Sequence, residues 1–370
     1  MISPDEKAWV DDLWGKIVSK MEKVAVRSYD KLPYIAAHGV HDDKKEKSVN
    51  WWTNGFFAGM LWHLYADTKI ETFRKTAEHS EKLLDKAFEK YEALHHDVGF
   101  LWHLTAGADY KLTGSREAFL RAGYAASMLA SRFEANGEYI RAWNGKTYSI
   151  IDTMMNLNLL YWASDAVKAP RFQTIAMAHA DMTMKNHIRP DGSVIHIVVH
   201  DPVTGEPVGV LPGQGLSETS SWSRGQAWAV YGFTLAYIHT GKQEYLDTAK
   251  KVAHYFIAAV CDDYLPRCDF RTPEEPVVYD STAGAIAACG LIELSRIVPE
   301  YEKKLYLRPA LKLLQTMAEH FLDLNEDTDP LLLMGTENYN DGQKNVPIIY
   351  GDFFFVEALY KLRDNSILFW

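Results

Sequence analysis

The sequence predicts an all-α fold, an (α/α)6 barrel with six inner and six outer helices that forms one domain over residues 1–370. Two kinds of helical segment alternate along the chain, and short joints such as Thr113-Gly114 and Thr240-Gly241 connect them. With 47% hydrophobic residues, the chain has enough apolar surface to bury a large core. The alternation favours a closed ring of two layers over an open solenoid, which remains the alternative arrangement.

Amphipathic helices form the first kind of segment. Between Gln243 and Val260, apolar residues recur at the three- and four-residue spacing of a single helix face, and charged residues occupy much of the rest. The same pattern recurs in 4–28, 70–91, 115–134, 170–187 and 300–322. We expect these helices to form the outer layer, with one face in water.

Helices with little charge form the second kind of segment. They are apolar on most faces and rich in Ala, Gly and aromatic residues, a composition typical of helices that are buried on nearly all sides. They are predicted at 56–66, 100–112, 153–166, 226–238, 283–294 and 353–362. Strand-like alternation is rare, and its main example, residues 193–199, predicts a short hairpin arm.

The composition argues against several classes of protein. The formal net charge is −10 and Lys and Arg form no run, so a nucleic-acid-binding surface is not expected. No apolar stretch is long enough to cross a membrane, and the first residues lack the basic and apolar regions of a signal peptide. The three cysteines, Cys261, Cys268 and Cys289, lack the spacing of a disulfide framework, so we expect a reducing, cytoplasmic compartment.

Polar residues cluster where the inner helices begin. The inner helices of such a ring run parallel, so their N-termini meet at one mouth. A polar or glycine-bearing cluster precedes each of them, at 51–55, 95–99, 149–152, 221–225, 279–282 and 350–352. Helix N-capping alone is an adequate explanation for Asp280, Ser281 and Asp352.

Other residues at the mouth indicate a binding site for an acidic sugar. Capping does not explain Trp51, Trp222, Arg224 and the adjacent histidines His95 and His96 at this end. Aromatic rings and a few converging polar groups are typical of a ligand site, and helix N-termini carry partial positive charge that favours an anion. We expect Arg224 to bind a carboxylate through two hydrogen bonds from its guanidinium.

Five strings of the sequence match the pattern of a known family. They are WWTNGFFAGMLW (51–62), HHDVGFLW (95–102), SIIDTMMNLNLLYWAS (149–164), WSRGQAWAVYGF (222–233) and YGDFFFVEAL (350–359). Together they resemble the unsaturated glucuronyl hydrolases, glycoside hydrolase family 88, and the resemblance runs nearly end to end. It implies an (α/α)6 barrel without metal or cofactor. The implied substrate is an oligosaccharide, above all a disaccharide, that begins with the 4,5-unsaturated uronic acid left by a polysaccharide lyase.

The resemblance also implies a reaction and roles for individual residues. Such enzymes hydrate the C4=C5 enol ether, and the resulting hemiketal opens and expels the rest of the chain. By similarity Asp152 is the general acid and base, and Asp97 is a second carboxylate that binds ring hydroxyls and influences the charge state of Asp152. The resemblance places His196, Gln214, Arg224 and Trp228 at the uronate subsite, Trp51, Trp143 and Trp222 in an aromatic wall, and Asn54 and His96 beside the site.

Sulfate recognition is a further point on which the family offers an expectation. Some members that prefer sulfated fragments use an Arg just before the glutamine matched by Gln214, together with a Ser-rich, Lys-bearing loop before the last inner helix. Here Gly213 precedes Gln214, and residues 339–346 contain no serine. We therefore expect no preference for a 6-sulfated second sugar, although Lys344 in this loop is a cation that could still meet a sulfate.

Alternative functions remain open at this point. The related unsaturated rhamnogalacturonyl hydrolases share the barrel and parts of the strings. A conventional two-carboxylate glycosidase would attack saturated substrates at the anomeric carbon, a sugar epimerase would need histidines facing each other across the mouth, and a terpene-type barrel would need clustered Asp or zinc ligands. A non-catalytic carbohydrate-binding helical array would have no use for Asp97 and Asp152 at one mouth.

In the favoured interpretation the partner is the oligosaccharide, without nucleic acid or membrane, and the protein is a monomer or weak homodimer.

Overall fold

The computed structural model describes residues 2–260, 262–363, 365 and 367–370, so Cys261 lies outside the described residues. The helices in this part of the chain are α1 Pro4–Arg27, α2 Phe56–Thr68, α3 Glu71–Leu84, α4 Val98–Trp102, α5 Ala108–Thr113, α6 Arg116–Ala130, α7 Thr153–Ala166, α8 Arg171–Asn186, α9 Ser223–Thr240, α10 Gln243–Ala259, α11 Ser281–Ile297, α12 Lys303–His320 and α13 Ile349–Leu362. A π-helical turn, His103–Gly107, joins α4 to α5, and the two form one inner segment. Inner and outer helices then alternate, which confirms the predicted (α/α)6 barrel.

The inner helices form a closed ring. Each packs against the next in chain order, from α2 through the α4–α5 segment to α7, α9, α11 and α13, and α13 packs back against α2. Helix α11 illustrates their burial, because every residue from Ser281 to Ser295 is buried. The contact between the first and last inner helices excludes the open solenoid for the described residues.

The outer helices cover this ring with one apolar face each. Helix α10 buries Tyr245, Leu246, Val252 and Phe256 on the same side. The segment predicted at 70–91 is not one helix, because α3 ends at Leu84 and a 3-10 helix, Asp85–Ala93, follows. Among the described helices, none combines the length and the apolar composition that a bilayer-crossing segment needs.

Short strands connect some of the helices: β1 Ala36–Ala37, β2 Val40–His41, β3 Phe133–Glu134, β4 Tyr139–Ile140, β5 Tyr148–Ile150, β6 Ile197–His200 and β7 Pro207–Leu211. The hairpin arm expected at 193–199 is confirmed with shorter bounds: β6 forms an antiparallel hairpin with β7 and is also the central strand of a sheet with β5. Ile150 pairs with Ile197, and the Ile151 N–H donates to the His196 carbonyl at 3.1 Å. This pairing places Asp152, which follows β5, beside His196, which precedes β6.

Glycine permits a close contact between inner helices. At Gly290 in α11, an added Cβ would lie 2.9 Å from Tyr231 Cα and 3.0 Å from Tyr231 N in α9. Both are backbone atoms of a buried helix, which cannot turn away as the end of a flexible side chain can. The spacing between α9 and α11 therefore depends on the absence of a side chain at this position.

We expect Gly290→Ala to lower the free energy of unfolding, because overpacking a close-packed core costs about 1–3 kcal/mol. The matched control is Gly123→Ala in outer helix α6, where no atom from other parts of the described chain lies within 4 Å of the added Cβ. Alanine is favoured over glycine within a helix by about 0.8–1 kcal/mol, so this control should be neutral or stabilising. Urea unfolding measures both, and a wild-type free energy of unfolding for Gly290→Ala would contradict the prediction.

Candidate active site

The N-terminal ends of the inner helices meet at one end of the ring. Trp52, just before α2, lies 5.1 Å from Tyr350 of α13 and 5.7 Å from Phe100 of α4, measured between ring centroids. Arg224 in the first turn of α9 contacts Asp280 at the start of α11 at 2.5 Å. The shared mouth predicted from the polar clusters is therefore present.

A cavity of about 240 Å³ opens at this mouth. Its lining residues are Trp51, Trp52, His95, His96, Asp97, Trp143, Ile150, Asp152, His196, Ile197, Gly213 and Gln214. Both predicted carboxylates are among them, together with five predicted substrate contacts, Trp51, His96, Trp143, His196 and Gln214. Aromatic faces beside a few convergent polar groups are suited to a sugar ring.

Asp152 occupies the N-cap position of α7, but its carboxylate does not cap the helix. A capping aspartate would place an oxygen on the N–H groups of the first helical turn. Instead Oδ1 is buried and has no hydrogen-bond partner among the described residues. Asp152 therefore does not cap its helix, and the carboxylate is available to contact a ligand.

Asp97, the second carboxylate of the cavity lining, lies in a set of polar contacts. Its carboxylate oxygens lie 3.3 Å from His95 Nδ1 and 3.2 Å from His96 Nε2, and Asn156 Nδ2 donates to Oδ1 at 3.2 Å. Burial alone would raise the pKa of Asp97, but His96, His95 and Asn156 together outweigh it and hold the pKa below its usual value. Asp97 is therefore ionised at neutral pH.

Asn156 is a site residue that the sequence analysis did not single out. Its Nδ2 also lies 3.2 Å from the Asp152 carbonyl oxygen, and its Oδ1 accepts from the Phe100 N–H at 2.9 Å. The side chain thus links α4 to α7 and fixes the position of Asp97 relative to Asp152. The available signal was an amide side chain one turn after Asp152 in a helix with few polar residues.

His196 lies beside Asp152 in the cavity lining. Its Nε2 lies 3.5 Å from Asp152 Oδ1, and its ring stacks on Trp222 with centroids 4.1 Å apart. On the other nitrogen, Nδ1 accepts a hydrogen bond from the Gln214 N–H at 2.9 Å. The pairing of β5 with β6 therefore places an imidazole next to the carboxylate predicted to act as acid and base.

Arg224 does not occupy the position expected of a carboxylate clamp. Its Nη1 donates to Asp280 Oδ2 and to the Thr336 carbonyl at 2.6 Å, and its Nη2 donates to Gln214 Oε1 at 3.1 Å and to the Glu337 carbonyl at 2.8 Å. Burial, the largest influence, disfavours the charge, but Asp280 and other neighbours outweigh it and raise the pKa of Arg224. Both terminal nitrogens already have protein partners, so this arrangement leaves no pair of N–H groups for a substrate carboxylate, and the substrate contact of Arg224 stays a prediction.

Comparisons with known proteins identify the family. The chain is 32% identical to the unsaturated glucuronyl hydrolase of Bacillus sp. (strain GL1) over 331 residues, which is 86% of this chain and 88% of the relative. It is 33% identical to the unsaturated chondroitin disaccharide hydrolase of Streptococcus pneumoniae over 332 residues, 86% of this chain and 83% of the relative. No family model matches the chain.

The chain belongs to the unsaturated glucuronyl hydrolase family. A crystal structure of the unsaturated glucuronyl hydrolase from Streptococcus agalactiae superposes with a TM-score of 0.91 at 27% identity, covering 98% of this chain and 94% of that one. A substituted form of that enzyme has been solved in complex with dGlcA-GalNAc6S. The resemblance seen in the five sequence strings is thereby confirmed.

Two tryptophans predicted to contact substrate in this family member lie behind the cavity. Trp222 is buried between His196 and Arg224, whose guanidinium carbon is 4.6 Å from its ring centroid. Trp228 is fully buried against Phe100 and Phe354, at 5.3 and 5.4 Å between centroids. In this conformation both residues support the site instead of forming its wall, because each ring is covered by other side chains.

Two further residues predicted at the substrate site also lie outside the cavity lining. Asn54 is buried and its Nδ2 donates to the Ser48 and Val49 carbonyls at 3.0 and 2.9 Å, so it fixes the loop that carries Trp51. Lys344 is exposed and its Nζ lies 5.1 Å from the Tyr339 ring centroid. A direct contact of Lys344 with a second sugar stays a prediction.

His95, His96 and Asp97 also have an arrangement that a metal ion could use. Their ligand atoms lie within 4.8 Å of one another, and they are the one such group found among the described residues. The expectation of a reaction without metal stays a prediction for this family member.

Of the alternative functions, a non-catalytic carbohydrate-binding helical array fits least, since Asp97 and Asp152 share one cavity.

Proposed function

We propose that this protein releases the 4,5-unsaturated uronic acid from the non-reducing end of lyase-generated oligosaccharides, with glycosaminoglycan-type disaccharides as the favoured substrates. The observation that carries the proposal is the Asp152 carboxylate, which has an oxygen without a partner among the described residues and faces a cavity with aromatic walls. The names of the relatives, unsaturated glucuronyl hydrolase and unsaturated chondroitin disaccharide hydrolase, support the same reaction.

In the proposed reaction Asp152 transfers a proton to C4 of the unsaturated ring. The double-bond electrons form the new C4–H bond, and the positive charge that develops at C5 is shared with the ring oxygen. Water then adds to C5 while the Asp152 carboxylate takes its proton, so the acid is regenerated. The C5 hemiketal opens by breaking the bond from C5 to the ring oxygen, and the hemiacetal left at C1 expels the second sugar as an alcohol.

The other cavity residues have roles that match this chemistry. Ionised Asp97 accepts hydrogen bonds from ring hydroxyls, and Trp51 and Trp143 provide flat faces for the sugars. Because the Gln214 side-chain oxygen accepts from Arg224, its amide NH2 group is the part left for the substrate carboxylate. Arg224 then acts on the uronate indirectly, because it orients the Gln214 amide.

We also propose a cytoplasmic location and a monomer or weak homodimer. Cys268 and Cys289 are buried and unbridged, which suits a reducing compartment. The substrate fits this location, since unsaturated disaccharides are the small products of lyases and are of a size that transporters can import.

We expect turnover of unsaturated uronyl disaccharides and none of their saturated analogues. The loss of enol-ether ultraviolet absorbance follows the reaction, and a panel of lyase products, including an unsaturated rhamnogalacturonyl disaccharide, identifies the preferred substrate. In heavy water a deuteron should enter C4 in a single stereochemical orientation, because the enzyme protonates one face. Equal turnover of a saturated disaccharide would show that the enzyme attacks the anomeric carbon instead.

We expect Asp152→Asn to lose at least about 100-fold in kcat, because general acid–base catalysis contributes about that much or more. Disaccharide binding and the free energy of unfolding should remain close to wild type. Asp165→Asn is the matched control, since Asp165 is an exposed residue in the last turn of the same helix. If Asp152→Asn kept more than about a tenth of the wild-type kcat, the assignment of Asp152 would be wrong.

We expect no preference for a 6-sulfated second sugar over the unsulfated one. The structure explains part of this, because an added Cβ at Gly213 would lie 2.1 Å from His196 Nδ1, so an Arg at this position would not fit with His196 in place. The measurement compares kcat/KM for unsulfated and 6-sulfated unsaturated chondroitin disaccharides. A clear preference for the sulfated substrate that is lost in Lys344→Ala would contradict the prediction and assign the sulfate to Lys344.

A further inference from the structure

The turn after β7 makes an unusually close approach to His196. Gly213 has a φ of +58°, in the left-handed region that favours glycine. An added Cβ would lie 2.1 Å from His196 Nδ1, 2.6 Å from Cε1 and 2.8 Å from Cγ. These distances are far below van der Waals contact, so two independent constraints, conformation and space, require a glycine here.

This close approach allows the next backbone amide to reach the imidazole. The Gln214 N–H donates to His196 Nδ1 at 2.9 Å. Since a backbone N–H can only donate, Nδ1 is the unprotonated nitrogen, and the neutral ring carries its proton on Nε2. The Pro212 carbonyl lies 3.3 Å from the same nitrogen and would favour the other tautomer, but the amide contact is the shorter of the two.

The protonated nitrogen of His196, Nε2, faces Asp152, the predicted general acid and base. His196 Nε2 lies 3.5 Å from Asp152 Oδ1, and both atoms are buried without a hydrogen-bond partner in the described part of the chain. Trp222 stacks on the imidazole with an angle of 26° between the rings and holds its plane. A donor and an acceptor are thus placed side by side, where they can act on each other or on one substrate atom that contacts both.

We propose that Gly213 is a positioning residue, which fixes the orientation and tautomer of His196 so that its Nε2–H faces Asp152. The effect of Gly213 on turnover rests on the proposed function, in which Asp152 becomes a carboxylate after it protonates C4. An Nε2–H donor beside that carboxylate stabilises it at this step. A ring with the opposite tautomer would present a lone pair and repel it.

The tautomer can be measured without substrate. In wild-type protein labelled with 15N-histidine, at a pH where the ring is neutral, long-range proton–nitrogen spectra should show an unprotonated Nδ1 and a protonated Nε2 for His196. The signals are assigned by their loss in His196→Ala. The opposite tautomer in the wild-type protein would overturn the proposal, whether or not the protein acts on unsaturated disaccharides.

The kinetic test uses Gly213→Ala with a matched glycine. We expect kcat to fall about 10- to 100-fold with a smaller change in KM, because small displacements of catalytic groups have effects of this size. Gly241→Ala is the control, since Gly241 has a φ of +69° but no atom elsewhere in the described chain within 4 Å of the added Cβ. It should keep wild-type kcat.

A double substitution separates the contact with His196 from backbone strain. If the proposal holds, adding Gly213→Ala to His196→Ala changes kcat by less than about twofold, because the ring that the methyl group would displace is absent. An equal loss of kcat in both backgrounds would assign the effect to the backbone and overturn the proposal. If wild-type protein fails to turn over unsaturated disaccharides, the proposed function fails, and the tautomer of His196, compared between wild-type and Gly213→Ala protein, still tests the role of Gly213.

Discussion

The contact between α13 and α2 closes the inner ring, and the geometry of the active site depends on this closure. Asp97 and Asp152 stand at the starts of different inner helices, so their separation is set by how those helices pack. The interior is close-packed, and positions such as Gly290 leave little freedom for a helix to shift. Groups that must act on one substrate atom tolerate displacements of only about 1 Å before the rate falls steeply. A closed ring of buried helices meets that requirement more readily than loops would.

The site also carries a local cost in stability. Asp152 and Asp97 both occupy N-cap positions, yet neither carboxylate accepts a capping hydrogen bond within the described structure. A capping aspartate contributes about 0.5–2 kcal/mol, and each helix forgoes that contribution. The oxygens are instead directed at the cavity, where the partial positive charge of the helix N-termini favours their anionic forms and an anionic ligand. Tertiary packing of the inner helices offsets the loss of these capping hydrogen bonds, since helix stability in a folded protein comes mainly from burial.

The sequence was sufficient to predict the layers and the mouth, because both depend on local patterns. Inner helices are apolar on most faces, and the clusters around Asp97 and Asp152 come directly before two of them. The sequence did not predict the contacts of Arg224, because Asp280 and Thr336 lie 56 and 112 residues away along the chain. Local pattern cannot show which distant carboxylate will neutralise a buried guanidinium.

Trp222 and Trp228, which lie outside the cavity lining, show a similar limit of sequence-based prediction. A tryptophan at the start of an inner helix can face a ligand, as Trp51 does, or lie one layer behind it, as Trp222 does. Both tryptophans belong to polar, glycine-bearing clusters before inner helices, and the difference comes from the direction of each side chain in the packed ring. Asn156 was not predicted, because a polar residue in a buried helix has many structural uses that do not involve a ligand.

The burial of Arg224 changes how an anionic sugar would be recognised. Its charge is balanced by Asp280 at 2.5 Å, and Gln214, whose side-chain oxygen accepts from Arg224, lines the cavity in its place. A free guanidinium at this place would bind the carboxylate strongly in the substrate and equally in the released uronate. Equal stabilisation of substrate, transition state and product does not raise kcat. A neutral donor such as the Gln214 amide, held in place by the buried Arg224–Asp280 ion pair, can bind the carboxylate. The larger stabilisation can then be directed at the transition state, where positive charge develops near Asp152 as C4 is protonated.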